Sequence, residues 1–535
     1  MGLTNLSTVL TAAIISVLLY AIFGQPKLRR NGIPLRRPPG TLPLVGNGIN
    51  FLRDRQRLFD WFTTCEQLCG YETLQISVPS LPPGVIISDP RNLDYVFKNE
   101  GIFAKGEFFK VRSRDLFGNG IINVDGDLWK VQRKAGLSFL NASNFRVLTD
   151  VALPEYLSRS VAFLESKTDK GVVDLQAVFH EITTQLMGKM AYNVSFLVER
   201  RSAPHPPKVP TDKDLSADWR AQMEMHAEDE FGLAFDYASG ATAERFQNPL
   251  WFVTELLTGA RLRKSVSVVK SFGQSIVSSA IADRKSRTEP EKQVPKDTNK
   301  DRLDHISGSL IQSFLDSIGD EQLVADAALN YLSAGKDTTA QALTWTFYLL
   351  MKHPEVVAKL REEIDQVTEG GEDTLEKVIS QRGSPTSMPY VFAVFCEALR
   401  IFPPIPFEIK QAVQATTLPD GTFLPQNSVI VWCTWAMNRS RLTWGPDADE
   451  FRPERWLVDG KVVNKSASEF AVFNGGQRTC LGRKMAEIIA VQVIATVASL
   501  FDCVKVDNST RVSKSSLTLP MKDGLPCFVR RRVDV

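Results

Sequence analysis

A chain of 535 residues with 43% hydrophobic and 23% charged side chains has a globular composition, which excludes a disordered, collagenous or polytopic membrane protein as the whole. Its 63 Lys and Arg against 61 Asp and Glu leave a formal charge of +2, so nothing in the overall charge favours nucleic acid as a partner. Seven thinly scattered cysteines without a CxxC pair, and five dispersed histidines, exclude a dense disulfide framework and a structural zinc site, and fit a reducing, cytosol-facing compartment.

The first element is an uncharged stretch from Leu3 to Phe23, followed by Lys27, Arg29, Arg30, Arg36 and Arg37. About 20 residues at ~1.5 Å rise cross a hydrocarbon core of ~30 Å, and the basic flank orients the downstream chain to the cytosol. The expectation is a transmembrane anchor over 1–25. A cleaved signal peptide fits less well, because no basic segment precedes the apolar run and no small-x-small site comes after it. Pro34 to Pro43 is too rich in proline for helix or central strand, so 26–50 is expected to be a basic, proline-rich tether.

Beyond it, 51–535 reads as one large domain, mainly α with small β-sheets. Strand-like runs occur at Glu72–Val78, Gly84–Ser88 and Asn427–Trp432, and helical periodicity dominates elsewhere. Two polar, Pro-bearing stretches, 199–218 and 284–304, read as surface loops. The longest helical pattern runs from near Asp320 to His353, where Pro354 stops it, and its second half is apolar nearly all round, as a helix at the centre of a fold must be.

Four constellations carry chemistry. Trp129 and Arg133 sit at i and i+4 on one helix face, both able to donate hydrogen bonds. Ala334-Gly-Lys-Asp-Thr-Thr339 puts a glycine and charged residues inside the long apolar helix. There the Thr338 hydroxyl can bond the carbonyl of residue 334 and open a groove for a small ligand such as dioxygen. Glu397-Ala-Leu-Arg400, usually a solvated surface pair, is followed downstream by Phe451-Arg-Pro-Glu-Arg455-Trp456. The sharpest is Phe473-Asn-Gly-Gly-Gln-Arg478-Thr-Cys480-Leu-Gly482 before a helix. Its glycines permit a tight loop, Arg478 can pair with an anion, and the helix start should lower the Cys480 thiol pKa, for a nucleophile or a metal ligand.

F-x-x-G-x-R-x-C-x-G resembles the haem-thiolate signature of the cytochrome P450 superfamily at every fixed position, and the resemblance extends over essentially the whole chain after the tether. It implies the cytochrome P450 fold. It also implies thiolate-ligated haem with Cys480 as axial iron ligand, Phe473 beside the sulfur, and Arg478, Trp129 and Arg133 at the propionates. Where the family usually places a further propionate-binding Arg stands Lys410, a point charge without the fork. Asp337 and Thr338 resemble the A-G-x-D-T pair that relays protons and positions water during oxygen activation, with Thr339 beside it. Glu397, Arg400 and Arg455 resemble the buried network that holds the Cys loop.

Within the superfamily, Gly120 to Lys134, Glu230 to Phe235 and Asn248 to Trp251 resemble the microsomal alkane and fatty-acid hydroxylases of fungi and plants. That implies a single-pass endoplasmic reticulum protein with a cytosolic catalytic domain, in contact with membrane lipid. Phe103, Phe108, Phe109, Leu116 and Phe117 are candidate walls for its lipophilic substrate. No Rossmann, flavin or P-loop pattern is present, so electrons must come from an NADPH-cytochrome P450 reductase-like partner, with cytochrome b5 as a second donor, docking on Lys130, Lys134, Arg483 and Lys484. The alternatives are a hydroxylase of a terpenoid or polyketide-like metabolite, a haem enzyme that rearranges its substrate without a reductase, and a non-catalytic haem sensor or carrier. The Asp337–Thr338 pair argues against the last two. A cysteine nucleophile lacks a histidine in any recognisable protease context.

Overall fold

A computed structural model describes residues 11, 27–43, 45–79, 81–192, 230–287, 309–368, 376–378 and 383–532. All of the expected anchor but residue 11, the 199–218 stretch and most of 284–304 lie outside the described residues. Among those described, no helix is long and apolar enough to cross a membrane.

The helices that shape the site are, in chain order, α1 (Arg55–Cys69), α2 (Pro90–Lys98), α3 (Gly106–Phe117), α4 (Gly126–Phe139), α5 (Leu175–Tyr192), α6 (Glu230–Gln247), α7 (Trp251–Thr258), α8 (Glu321–Leu350), α9 (Pro354–Thr368), α10 (Pro389–Ile401) and α11 (Arg483–Leu500). The small sheets lie among them, which agrees with the expected mainly α architecture. Local chemistry sets the boundaries. The Asp320 side chain caps α8 by accepting from Gln322 N at 2.9 Å, and Pro354 opens the next helix where the long one was expected to stop.

Helix α8 is the axis of the core. Every residue from Val324 to Leu350 is buried except Ala334, Gly335, Lys336 and Thr338, so the break in burial coincides with the polar motif. Gly335 lets α5 approach closely: a Cβ there would collide with the Met187 thioether. Farther along, Trp345 stacks on Phe402 at 4.1 Å between ring centres and donates its indole N–H to the Leu519 carbonyl at 2.8 Å.

A five-stranded sheet runs in the order Leu74–Ile76, Gly84–Ile86, Val429–Cys433, Phe407–Ala412, Phe103–Ala104. Its register pairs Lys410 with Ile430, and Lys410 is buried. The segment expected as a tether packs onto the body of the protein. Arg29–Arg30 pairs with both Ile33–Pro34 and Phe423–Thr422, and Leu28 and Leu35 belong to a buried apolar cluster. Pro34 falls in the edge strand, where a missing N–H costs no ladder bond.

Candidate active site

The Cys loop is built from two 3-10 turns, Ala471–Phe473 and Gly476–Arg478, that bring Cys480 to the start of α11. Its backbone is pinned by the Cys480 N–H donating to the Phe473 carbonyl at 2.8 Å. Gly475 lies against the ring of Phe97 on α2, where any Cβ would overlap it, and Gly476 has φ +62°. Those two glycines are required by contact and by backbone angle.

Cys480, Phe473 and Arg478 open onto a cavity of about 410 Å³ whose other walls include Thr338 and Asp337 of α8 and Trp129 and Arg133 of α4. The structure thus brings all seven expected site residues to one cavity. Thr338 Oγ1 donates to the Ala334 carbonyl at 2.6 Å, the bond expected to open the helix. Asp337 is 4% exposed, with His180 Nδ1 of α5 at 3.9 Å from its Oδ1. Burial, with Lys336 and Lys514, pushes the His180 pKa down, so a neutral ring faces Asp337 at pH 7.

The thiol departs from expectation. Its accessible surface opens into the cavity, and desolvation by the atoms packed around it raises the Cys480 pKa. The Gly482 amide, Arg133 and Arg483 pull the other way without prevailing. A helix start alone does not make this cysteine a thiolate; a metal cation would.

Arg133 donates to the Thr479 carbonyl at 2.9 Å, tying α4 to the Cys loop. Arg478 is more committed than expected. It pairs with Glu100, donates to Asp125 Oδ1 at 2.9 Å and to the Val124 carbonyl at 3.0 Å, and lies 4.2 Å over the Trp129 ring. Lys410 also lines the cavity, and its ammonium has no hydrogen bond or ion pair among the described residues. Burial, reinforced by Lys105 and Arg478, pushes its pKa down to about 8.

These groups fit a haem. A soft sulfur ligand faces the cavity, and a buried ammonium without an ion pair and an indole N–H without an acceptor among the described residues, with two arginines, line the same space. That donor set suits two propionates. Of the candidate walls, Phe109 and Phe117 line this cavity, whereas Phe103 and Leu116 are packed in the core. Sequence reasoning passed over His180, Glu100 and Asp125, because no spacing signal links them to the motifs they meet.

Beneath the loop lies the Glu397 network, with Glu397 and Arg400 fully buried. Arg400 forks onto Glu397 with two bonds of 2.8 Å. Arg455 Nε (2.8 Å), Trp456 Nε1 (2.9 Å) and Arg452 N (3.0 Å) donate to the same carboxylate. Arg400 also reaches the carbonyls of Asn438, Ala448 and Glu450. Trp456 packs edge-on to Phe470, one residue before the loop begins.

Comparison with known proteins agrees with this geometry. The Cytochrome P450 family model matches residues 37–528. Among curated relatives, Cytochrome P450 monooxygenase cyp1 of Mycosarcoma maydis is 31% identical, over 92% of this chain and 75% of its own length. Cytochrome P450 86B1 of Arabidopsis thaliana is 30% identical, over 94% and 87%. Alkane hydroxylase MAH1 of the same plant is 29% identical, over 95% and 94%. Members of this family are monooxygenases that bind haem through a cysteine thiolate. With its Cys loop, the Thr338-to-Ala334 bond of the central helix and a cationic wall on one cavity, the chain belongs to the cytochrome P450 family.

Proposed function

We propose that this chain hydroxylates long-chain aliphatic substrates at a cytosol-facing membrane surface, with Cys480 as haem ligand and Asp337 and Thr338 as the proton-handling pair. One atom of O2 enters a substrate C–H bond and the other leaves as water, with two electrons drawn from NADPH through a separate reductase. The haem supplies the oxygen-activating redox chemistry. The protein's residues do the rest. Arg133, Arg478, Trp129 and Lys410 would hold the propionates, and Phe473 would shield the sulfur. Thr338 keeps its hydroxyl oxygen available as an acceptor while its proton is bonded to Ala334, and Asp337 holds or passes a proton beside neutral His180.

The observation that carries this reading is the meeting of Cys480 and the hydrogen-bonded Ala334–Thr338 turn in one largely apolar cavity. Membrane apposition is supported by the apolar N-terminal stretch and by a bare apolar surface on and beside α7, where Leu256 and Leu257 are 81% and 88% exposed. Lys130, Lys134, Arg483 and Lys484 are all exposed on α4 and α11, beside the Cys loop, and support docking of an acidic reductase. Lys130 and Arg483 share their charge with Asp127 and Glu487.

The test is the carbon-monoxide difference spectrum of the reduced protein. The Soret band should sit at the thiolate position and be lost in Cys480→Ala. Turnover of alkanes and fatty acids should require NADPH and reductase. A thiolate band without reductase-dependent product would leave the family assignment and overturn the proposed activity.

A further inference from the structure

Next to the haem cavity lies a second apolar one of about 150 Å³, walled by α1, the five-stranded sheet and the end of α6. Phe109, Phe407 and Leu517 line both, so the two cavities meet across these three side chains. In the apolar wall of the smaller one stands Arg55, 7% exposed. It bonds the Ser516 carbonyl through Nη1 and the Thr518 carbonyl at 2.6 Å through Nη2, which holds the loop bearing Leu517. Among the described residues its enclosed Nε–H has no acceptor and no carboxylate pairs with it.

Other buried arginines are treated differently. Arg400 and Arg455 face Glu397, and Arg245 is held by Glu255 and Asp115. Arg112 and Arg439 also lack an ion pair among the described residues, but neither lines either of these two cavities. Two carbonyl acceptors do not neutralise a guanidinium, and burial pushes the Arg55 pKa down, to about 9. A desolvated cation without a counter-ion, in a side chain that lines an apolar pocket, favours a carboxylate as its partner there.

We propose that Arg55 binds the carboxylate of an acyl-chain substrate whose alkyl part passes Phe109, Phe407 and Leu517 into the haem cavity. This rests on the reading of the chain as an oxygenase of aliphatic compounds. It makes Arg55 the residue that separates free fatty acids from alkanes, alcohols and esters of the same length.

Dissociation constants measured by calorimetry on the full-length holoenzyme, with dodecanoic acid, methyl dodecanoate and dodecan-1-ol as probes, decide it. In the unaltered protein the acid should bind at least about tenfold tighter than the ester. Arg55→Gln should remove that preference while leaving the ester within about twofold, since a merely structural role for Arg55 would weaken both alike. Arg55→Lys, which keeps charge without the fork, should weaken the acid by a smaller factor and carries the test if the glutamine variant does not fold. Equal affinity for acid and ester in the unaltered protein, or parallel losses in both variants, overturns the anchor and leaves the aliphatic reading standing. Failure of all three probes to bind overturns both.

Discussion

Thr338 places its hydroxyl proton on the Ala334 carbonyl at 2.6 Å, so toward the cavity it presents an oxygen rather than a donor. Thr338→Ala removes that acceptor without changing the apolar walls. Substrate binding, read by the haem spin-state shift, should persist, while product formed per NADPH consumed falls by about tenfold or more; Thr338→Ser should restore most of it. Lys410 yields a test on the haem-free protein. Its folded pKa near 8 lies below the usual value of 10.5, so between these the unfolded chain binds more protons and stability rises with pH. Below pH 8 the penalty is fully present, on the order of 3 kcal/mol. Lys410→Met should therefore raise the Tm of haem-free protein at pH 7, and the gain should shrink as pH climbs from 8 to 10.5. In the haem-loaded protein the same change should speed haem loss, because a propionate partner is removed. A gain independent of pH would show that ammonium burial is not its cause.

At the scale of elements, the Glu397 carboxylate is shared by α10 and the Phe451–Trp456 segment, and it accepts from Arg400, Arg455, Trp456 and the Arg452 amide. Glu397→Ala strands two arginines in a dry interior and should cost ~3–5 kcal/mol, read as a lowered denaturant midpoint with unchanged slope. Two glycines should respond oppositely. Gly475→Ala forces a methyl into the Phe97 ring at the loop that carries Cys480, so haem incorporation should fail. Gly335→Ala meets the flexible Met187 thioether inside a helix. There alanine gains up to ~1 kcal/mol of propensity, so its Tm should change little.

Over the whole molecule, exposed apolar side chains gather around the smaller cavity. Phe51 and Pro249 line it, and Ile49, Leu52, Leu250 and Phe252, each about half exposed or more, are their near neighbours in sequence. A lipophilic substrate dissolved in a bilayer would meet this surface first. Leu256→Glu with Leu257→Glu changes only exposed positions, so Tm should stay the same. The KM for a long-chain substrate presented in vesicles should rise severalfold at constant kcat. A parallel fall in kcat would point instead to a distorted cavity.

Read alone, the chain determined the family, the mainly α class and the long central helix with its polar interruption, and it singled out Cys480, Thr338, Asp337, Trp129, Arg133, Arg478 and Phe473 as site candidates. All lie in contiguous stretches whose glycines, caps and hydroxyl-to-carbonyl bonds obey short-range rules. Only the tertiary structure brought them to one cavity, set Lys410 in its wall through strand register, placed His180 against Asp337, and carried Arg55 to carbonyls more than 460 residues away in sequence. It also reversed the expected acidity of Cys480, because desolvation depends on every atom packed around the sulfur and outweighs the amide and the cations that the local motif supplies. Local pattern specifies chemistry, whereas long-range packing decides which charges are dried out and which partners they find.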